Sequence, residues 1–129
     1  MPKPNKWKFF KDADEAREYV VLLSYLPLKK FRTIPKFLRA TSKIEKQLSE
    51  SQGLIGYSLH AELLKKKFWT LSVWEDRKSL GAFVSHLPHR QTMIDLAYAM
   101  SQTKFTDWAV KGSDVPPDWD GAKRHMASE

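Results

Sequence analysis

The chain has 129 residues, 42% hydrophobic and 12% aromatic, with 22 Lys+Arg against 15 Asp+Glu for a formal charge of +7. That length and apolar content fit one domain with its own core and exclude an intrinsically disordered chain. The lack of cysteine excludes disulfides, thiolate-held zinc or iron–sulfur clusters and a cysteine nucleophile.

Residues 1–18 are polar and charged, with Trp7, Phe9 and Phe10 as anchors, and read as an arm outside a core of about 19–111. Lys3, Lys6, Lys8 and Lys11 are not followed by the apolar stretch of a secretory signal. No run approaches the roughly 20 apolar residues that span a bilayer, so a cytoplasmic domain without a membrane span is expected.

Residues 19–26 (YVVLLSYL) predict a strand apolar on both faces, hence a central one. Pro27 and Pro35 bracket a connection, and a helix is predicted over 34–51, with Gly53 placed to end it. A second strand, 54–63, puts Ile55, Tyr57, Leu59, Ala61 and Leu63 on one face and Gly56, Ser58, His60 and Glu62 on the other. After a lysine turn at 65–67 comes a third strand, 68–75, then a helix capped by Asp76 with Leu80, Phe83, Val84 and Leu87 on its apolar stripe. Pro88 breaks this helix. The helical pattern resumes with His89, Met93, Leu96, Ala97 and Met100 on one face. A fourth strand spans 104–111, and residues 112–129 read as a Pro-rich tail with Trp119 as a docking anchor.

The order βαββαβ predicts an α+β, ferredoxin-like fold: a four-stranded antiparallel sheet with two helices on one face, in a single domain over 1–129. Since the first strand is apolar on both faces, the face without helices needs a cover. A second copy of the sheet is the simplest one, and a homodimer is expected.

The excess charge is concentrated. Between Lys29 and Lys67 lie ten basic residues and three acids, whereas the rest of the chain is neutral. Arg32, Lys36, Arg39, Lys43 and Lys46 fall at helical spacing, opposite Ile34, Phe37, Leu38, Thr41, Ile44 and Leu48. The stripe is either a solvated face or an attractor for an acidic partner.

Of the titratable residues, His89 heads the inward stripe of its helix. It is either a local cap at the Pro88 kink or a group facing a ligand as base, proton donor or iron ligand. His86 falls off its helix's apolar stripe, and His60 faces either a polar cavity or water. No two histidines stand at the i, i+4 spacing of a helical metal site and no HExxH occurs, so no metal site is expected. GxSxG, GxxxxGK[ST] and GxGxxG are absent too, which removes support for hydrolase and nucleotide-binding readings. The aromatic residues Tyr25, Tyr57, Trp69, Trp74, Phe83 and Trp108 form either core or, in part, the walls of a pocket for a flat ring system.

The stretch 69–93, WTLSVWEDRKSLGAFVSHLPHRQTM, resembles the dimeric α+β barrel superfamily, in particular its antibiotic-biosynthesis monooxygenase group, in the strand end Ser72-Val73-Trp74-Glu75, the helix with Leu80 and Phe83, and His89. The resemblance implies a homodimer with sheets face to face and a ligand cavity between sheet and helices. It points to a small-molecule ligand with Trp74, Phe83 and His89 as pocket residues and His89 as the catalytic candidate. The group includes cofactor-independent oxygenases of aromatic polyketides, for which no cofactor is expected, and haem-degrading enzymes, for which haem binding to His89 is the alternative. Against the haem branch's strand asparagine and helix tryptophan, this chain has Ser24 and Phe83. A non-catalytic ligand-binding or structural dimer stays open beside both. RNA-recognition modules share the topology, but Lys67-Phe68-Trp69-Thr70-Leu71-Ser72 lacks their glycine, so nucleic acid is not an expected partner.

Overall fold

Alternating apolar strands dictate the architecture. The computed structural model describes residues 7–85 and 89–127; for His89, Arg90, Thr92 and Met93 it describes the backbone only. The elements are β1 (Lys8–Phe9), β2 (Glu18–Pro27), α1 (Ile34–Glu50), β3 (Leu54–Glu62), β4 (Lys67–Trp74), α2 (Arg77–Ser85), α3 (His89–Leu96), β5 (Lys104–Lys111) and α4 (Trp119–Ala127). The strands pair antiparallel in the order β1-β3-β4-β2-β5. The predicted four strands are all present in ferredoxin-like order, and β1, from the amino-terminal arm, adds a short fifth at the β3 edge.

β2 is central, and its side chains alternate between two cores. Val20 packs with Leu48 of α1, Leu54, Tyr57, Trp74, and Leu80 and Phe83 of α2. Tyr19, Val21 and Leu23 pack on the other face with Ile55, Leu71, Val73, Ala122 and Met126. Ala122 and Met126 belong to α4, which corrects the expectation of helices on one face only. The predicted Pro-rich tail, with Trp119 as its docking anchor, folds into a helix that covers the second face. Asp118 starts it, its carboxylate accepting the Gly121 N–H at 3.1 Å and its carbonyl the Ala122 N–H at 2.9 Å.

Three local details differ from the sequence pattern. A bulge between Leu54 and Gly56 inserts one residue, so Ile55 faces α4 while Tyr57 faces α1, instead of both sharing a face. α1 ends at Ser51 in extended conformation, and Gly53 serves the following turn: its φ is 84°, and a Cβ there would overlap the Ser79 hydroxyl. Finally, α3 tightens into a 3-10 turn at Ala97–Ala99, which breaks the helical phase predicted from His89 to Met100 and turns Ala97 outward while Ala99 is buried. Asp76 does cap α2, accepting the Ser79 N–H at 2.7 Å, and this bond holds its carboxyl below the usual range. Pro88, and with it the kink, lies outside the described residues, as do His86 and Leu87.

Candidate functional site

A cavity of about 230 Å3 lies between α1 and the face of the sheet that carries Leu22 and Ser24. Its helical wall is α1, through Phe37, Thr41, Ile44 and Leu48, with Phe83 of α2 closing one side. The amphipathic pattern of α1 turns these residues inward while Lys36, Arg39 and Lys46 stay exposed. The floor is less apolar than the walls. Leu22 and Leu26 alternate with Ser24 on β2, and Thr70 and Ser72 stand on β4. Ser24 pairs with Thr70 and Leu22 with Ser72 across the strands, so the three hydroxyl residues occupy two adjacent rows of one face.

The polar atoms are partly committed. Trp74 donates its indole N–H to Ser72 Oγ at 2.9 Å; the hydroxyl's own proton then points elsewhere. Thr41 donates to the Phe37 carbonyl at 2.9 Å. At the rim, the Tyr57 hydroxyl donates to Glu45 Oε1 at 3.2 Å, and Lys8 Nζ stands 3.6 Å from the same oxygen. Burial, reinforced by the Glu45 charge, pushes the Tyr57 phenol above its ordinary value, so it stays a donor.

The predicted pocket residues are distributed as follows. Phe83 lines the cavity. Trp74 is fully buried behind the wall, its ring 5.1 Å from that of Phe83. His89 begins α3, and its side chain lies outside the described ones. Sequence reasoning missed Ser24, Thr70 and Ser72 as a set, and with them the Tyr57–Glu45 pair. The available signal was the hydroxyl residues interrupting otherwise apolar strands at even positions.

His60 does not face water, although it is among the residues that border the cavity. It is 5% exposed beneath α4, with ring centres of Trp69 and Trp119 at 5.2 and 5.7 Å. Neither ring nitrogen has a hydrogen-bond partner, although Glu62 Oε1 stands 3.5 Å from Nε2 outside bonding geometry. Burial first, then the Lys123 charge, lowers its pKa from the ordinary histidine value. Among the described residues no three His, Asp or Glu side chains gather as metal ligands, and no helix is long and apolar enough to cross a membrane.

No protein-family model and no curated protein matches the sequence. Solved structures match in fold. A candidate monooxygenase from Fusobacterium nucleatum superposes with a TM-score of 0.70 at 12% identity, over 81% of this chain and 48% of that one, so this chain spans about half its length. SnoaB, a cofactor-independent oxygenase from Streptomyces nogalater, gives 0.62 at 11% identity over 78% and 99%. A dimeric ferredoxin-like protein of unknown function from Thermobifida fusca gives 0.63 at 12% over 78% and 99%. At such identities the likeness is one of fold. The chain therefore has the ferredoxin-like α+β fold that these proteins share, and the space between its sheet and α1 is the candidate site.

Proposed function

We propose that the protein binds a compact, hydroxylated aromatic molecule between α1 and the sheet. The observation that carries this reading is the cavity itself, apolar in its walls with Ser24, Thr70 and Ser72 on its floor. Apolar enclosure with a few convergent polar groups is how small-molecule sites are built. Size narrows the class. An apolar cavity of ~150 Å3 takes a benzene, so about 230 Å3 suits one or two fused rings. A four-ring polyketide exceeds that volume, and a haem exceeds it further.

Likeness of fold to a cofactor-independent oxygenase supports a second, catalytic reading. A two-ring phenol such as 1-naphthol is its own reductant. Its hydroxyl proton passes to a base, for which the Glu45 carboxylate at the rim is the group at hand. The electron-rich ring then reduces dioxygen and bonds it at the para carbon. Loss of water from the peroxide gives the quinone, one oxygen atom retained and the other leaving as water. His89 is the further candidate base, from its place in the sequence.

Titration with 1-naphthol and with naphthalene tests the binding. Tighter binding of the naphthol, weakened by Ser72→Ala and abolished by filling the cavity with Ile44→Trp, is expected. Equal binding of the two compounds, or binding indifferent to Ile44→Trp, would overturn the reading. Oxygen uptake matched by quinone formation tests the catalytic step.

For assembly we propose a homodimer, supported by the dimeric Thermobifida fusca protein of like fold. The contact surface is the second sheet face together with α4: Tyr25, Trp69 and Trp108 are half-buried there, with Lys123 and His125 of α4 over the Trp69 and Trp108 rings at 4.2 and 4.3 Å. Sedimentation at the monomer mass would refute it. A cytoplasmic location is part of the same proposal, and no nucleic-acid partner is.

A further inference from the structure

Three large apolar side chains stand exposed at one end of the sheet: Phe31 at 54%, Leu63 at 51% and Leu64 at 90%. Phe31 opens the 3-10 turn that leads into α1, and Leu63 and Leu64 open the 3-10 turn between β3 and β4. The backbone holds these two turns side by side. The Leu28 N–H donates to the Lys66 carbonyl at 2.8 Å. Lys66 Nζ donates to the Lys29 carbonyl at 3.4 Å and lies 4.8 Å from the centre of the Phe31 ring. One apolar tip results.

Cations surround it. Lys29, Lys30, Arg32 and Lys65 are exposed and Lys66 is half-buried. Glu62 at the base of the tip is engaged by Lys65 at 3.9 Å. The chain's excess positive charge is thus gathered partly here, away from the cavity, around side chains that gain nothing from facing water. At a bilayer surface both features become favourable. Leucine and phenylalanine enter the boundary between headgroups and acyl chains while lysine and arginine reach the lipid phosphates.

We propose that this tip docks the protein on an anionic membrane surface, with Leu63, Leu64 and Phe31 inserted and the flanking cations at the headgroups. A nucleic acid would use the same cations but would favour stacking rings, whereas two of the three apolar residues here are aliphatic.

The test is co-sedimentation of the full chain with vesicles of phosphatidylcholine alone or mixed with phosphatidylglycerol. Binding to the mixed vesicles is expected, with little to the neutral ones. The double variant Leu63→Ser/Leu64→Ser should lose about tenfold or more in affinity. Lys29→Gln and Lys30→Gln should lose on the order of fivefold each. All these positions are exposed, and thermal melts should show an unchanged fold. Equal binding to both vesicle types, or none to either, overturns the proposal. So does full retention of binding by the leucine variant: the tip would then be a general polyanion site, and a single-stranded oligonucleotide would displace vesicles from parent and variant alike.

Discussion

Leu22 and Leu23 are neighbours in sequence and sit in different environments. Leu23 is fully buried among Val21, Ile55, Leu71 and Val73 under α4. Leu22 is half-buried, and its side of the sheet borders the cavity beneath α1. One face of the sheet is filled and the other keeps space. The cause is in the partners. α4 is short and brings Ala122, Met126 and the indole of Trp119 close to the strands, with Trp119 Nε1 donating to Ser58 Oγ at 3.3 Å. α1 is longer and approaches through Phe37, Thr41, Ile44 and Leu48 over a floor of small hydroxyl residues. Serine and threonine replace bulk with a polar group, so the helix rests at a distance that leaves a hole.

This contrast predicts unequal costs for the same substitution. Leu23→Ala removes atoms from a close-packed site and should cost about 3–5 kcal/mol. Leu22→Ala removes atoms that already border a cavity and should cost about 1–2 kcal/mol, because little new void is created. Urea unfolding measures both. Equal losses would mean that the two faces are packed alike.

The filled face was the harder one to read from sequence. β2, β4 and β5 are evident from β-branched and aromatic alternation, and α1 from its stripe opposite the lysines. α4 offers only Trp119, Ala122, Met126 and Ala127 as apolar positions over nine residues, with Gly121 inside. A helix so short has little stability of its own and forms because the sheet receives it. No local pattern records that. The bulge at Ile55 is similarly silent, since one inserted residue reverses a face without changing composition. The cavity's walls were partly legible, through Phe83 and the inward stripe of α1. Its floor was not, because serines in a strand look alike whether they meet a ligand or water.

A second prediction uses the histidine under α4. His60 has two buried ring nitrogens without hydrogen bonds, facing Trp69 and Trp119, with Lys123 from α4 and Glu62 from its own strand as the nearby charges. Replacing an unpaired polar ring by an apolar one of similar shape removes that cost, so His60→Phe should be neutral or stabilising, by up to about 1–3 kcal/mol. The pH dependence has a definite sign. The folded pKa lies below the unfolded value near 6.5, so as pH falls through that value the unfolded chain takes up a proton that the folded one resists. Stability from this group is full above about pH 6.5 and is lost on acidification. Unfolding curves from pH 8 to 5 should therefore converge less steeply for His60→Phe than for the parent, the other histidines being common to both. Parallel curves would show that His60 is already solvated.

The smallest effect is expected on the cavity side, at Tyr57. Its bond to Glu45 is long, 3.2 Å, and the carboxylate keeps 29% of its surface exposed, so water takes over much of the bond when the hydroxyl is removed. Tyr57→Phe should cost only about 0.5–1 kcal/mol at neutral pH. Its signature lies at the alkaline end. Burial and the Glu45 charge raise the folded phenol above the ordinary value of 10.0, so above that pH the unfolded chain releases a proton that the folded one keeps. The parent then loses stability as pH rises past about 10, and Tyr57→Phe should lose less over the same interval. The acid slope thus belongs to the filled face and the alkaline slope to the hollow one. The two variants separate them, since His60→Phe leaves the alkaline limb unchanged and Tyr57→Phe leaves the acid limb unchanged. If Tyr57→Phe followed the parent at high pH, the hydroxyl would be in contact with solvent, and the rim of the cavity would be open where the Glu45 contact now closes it.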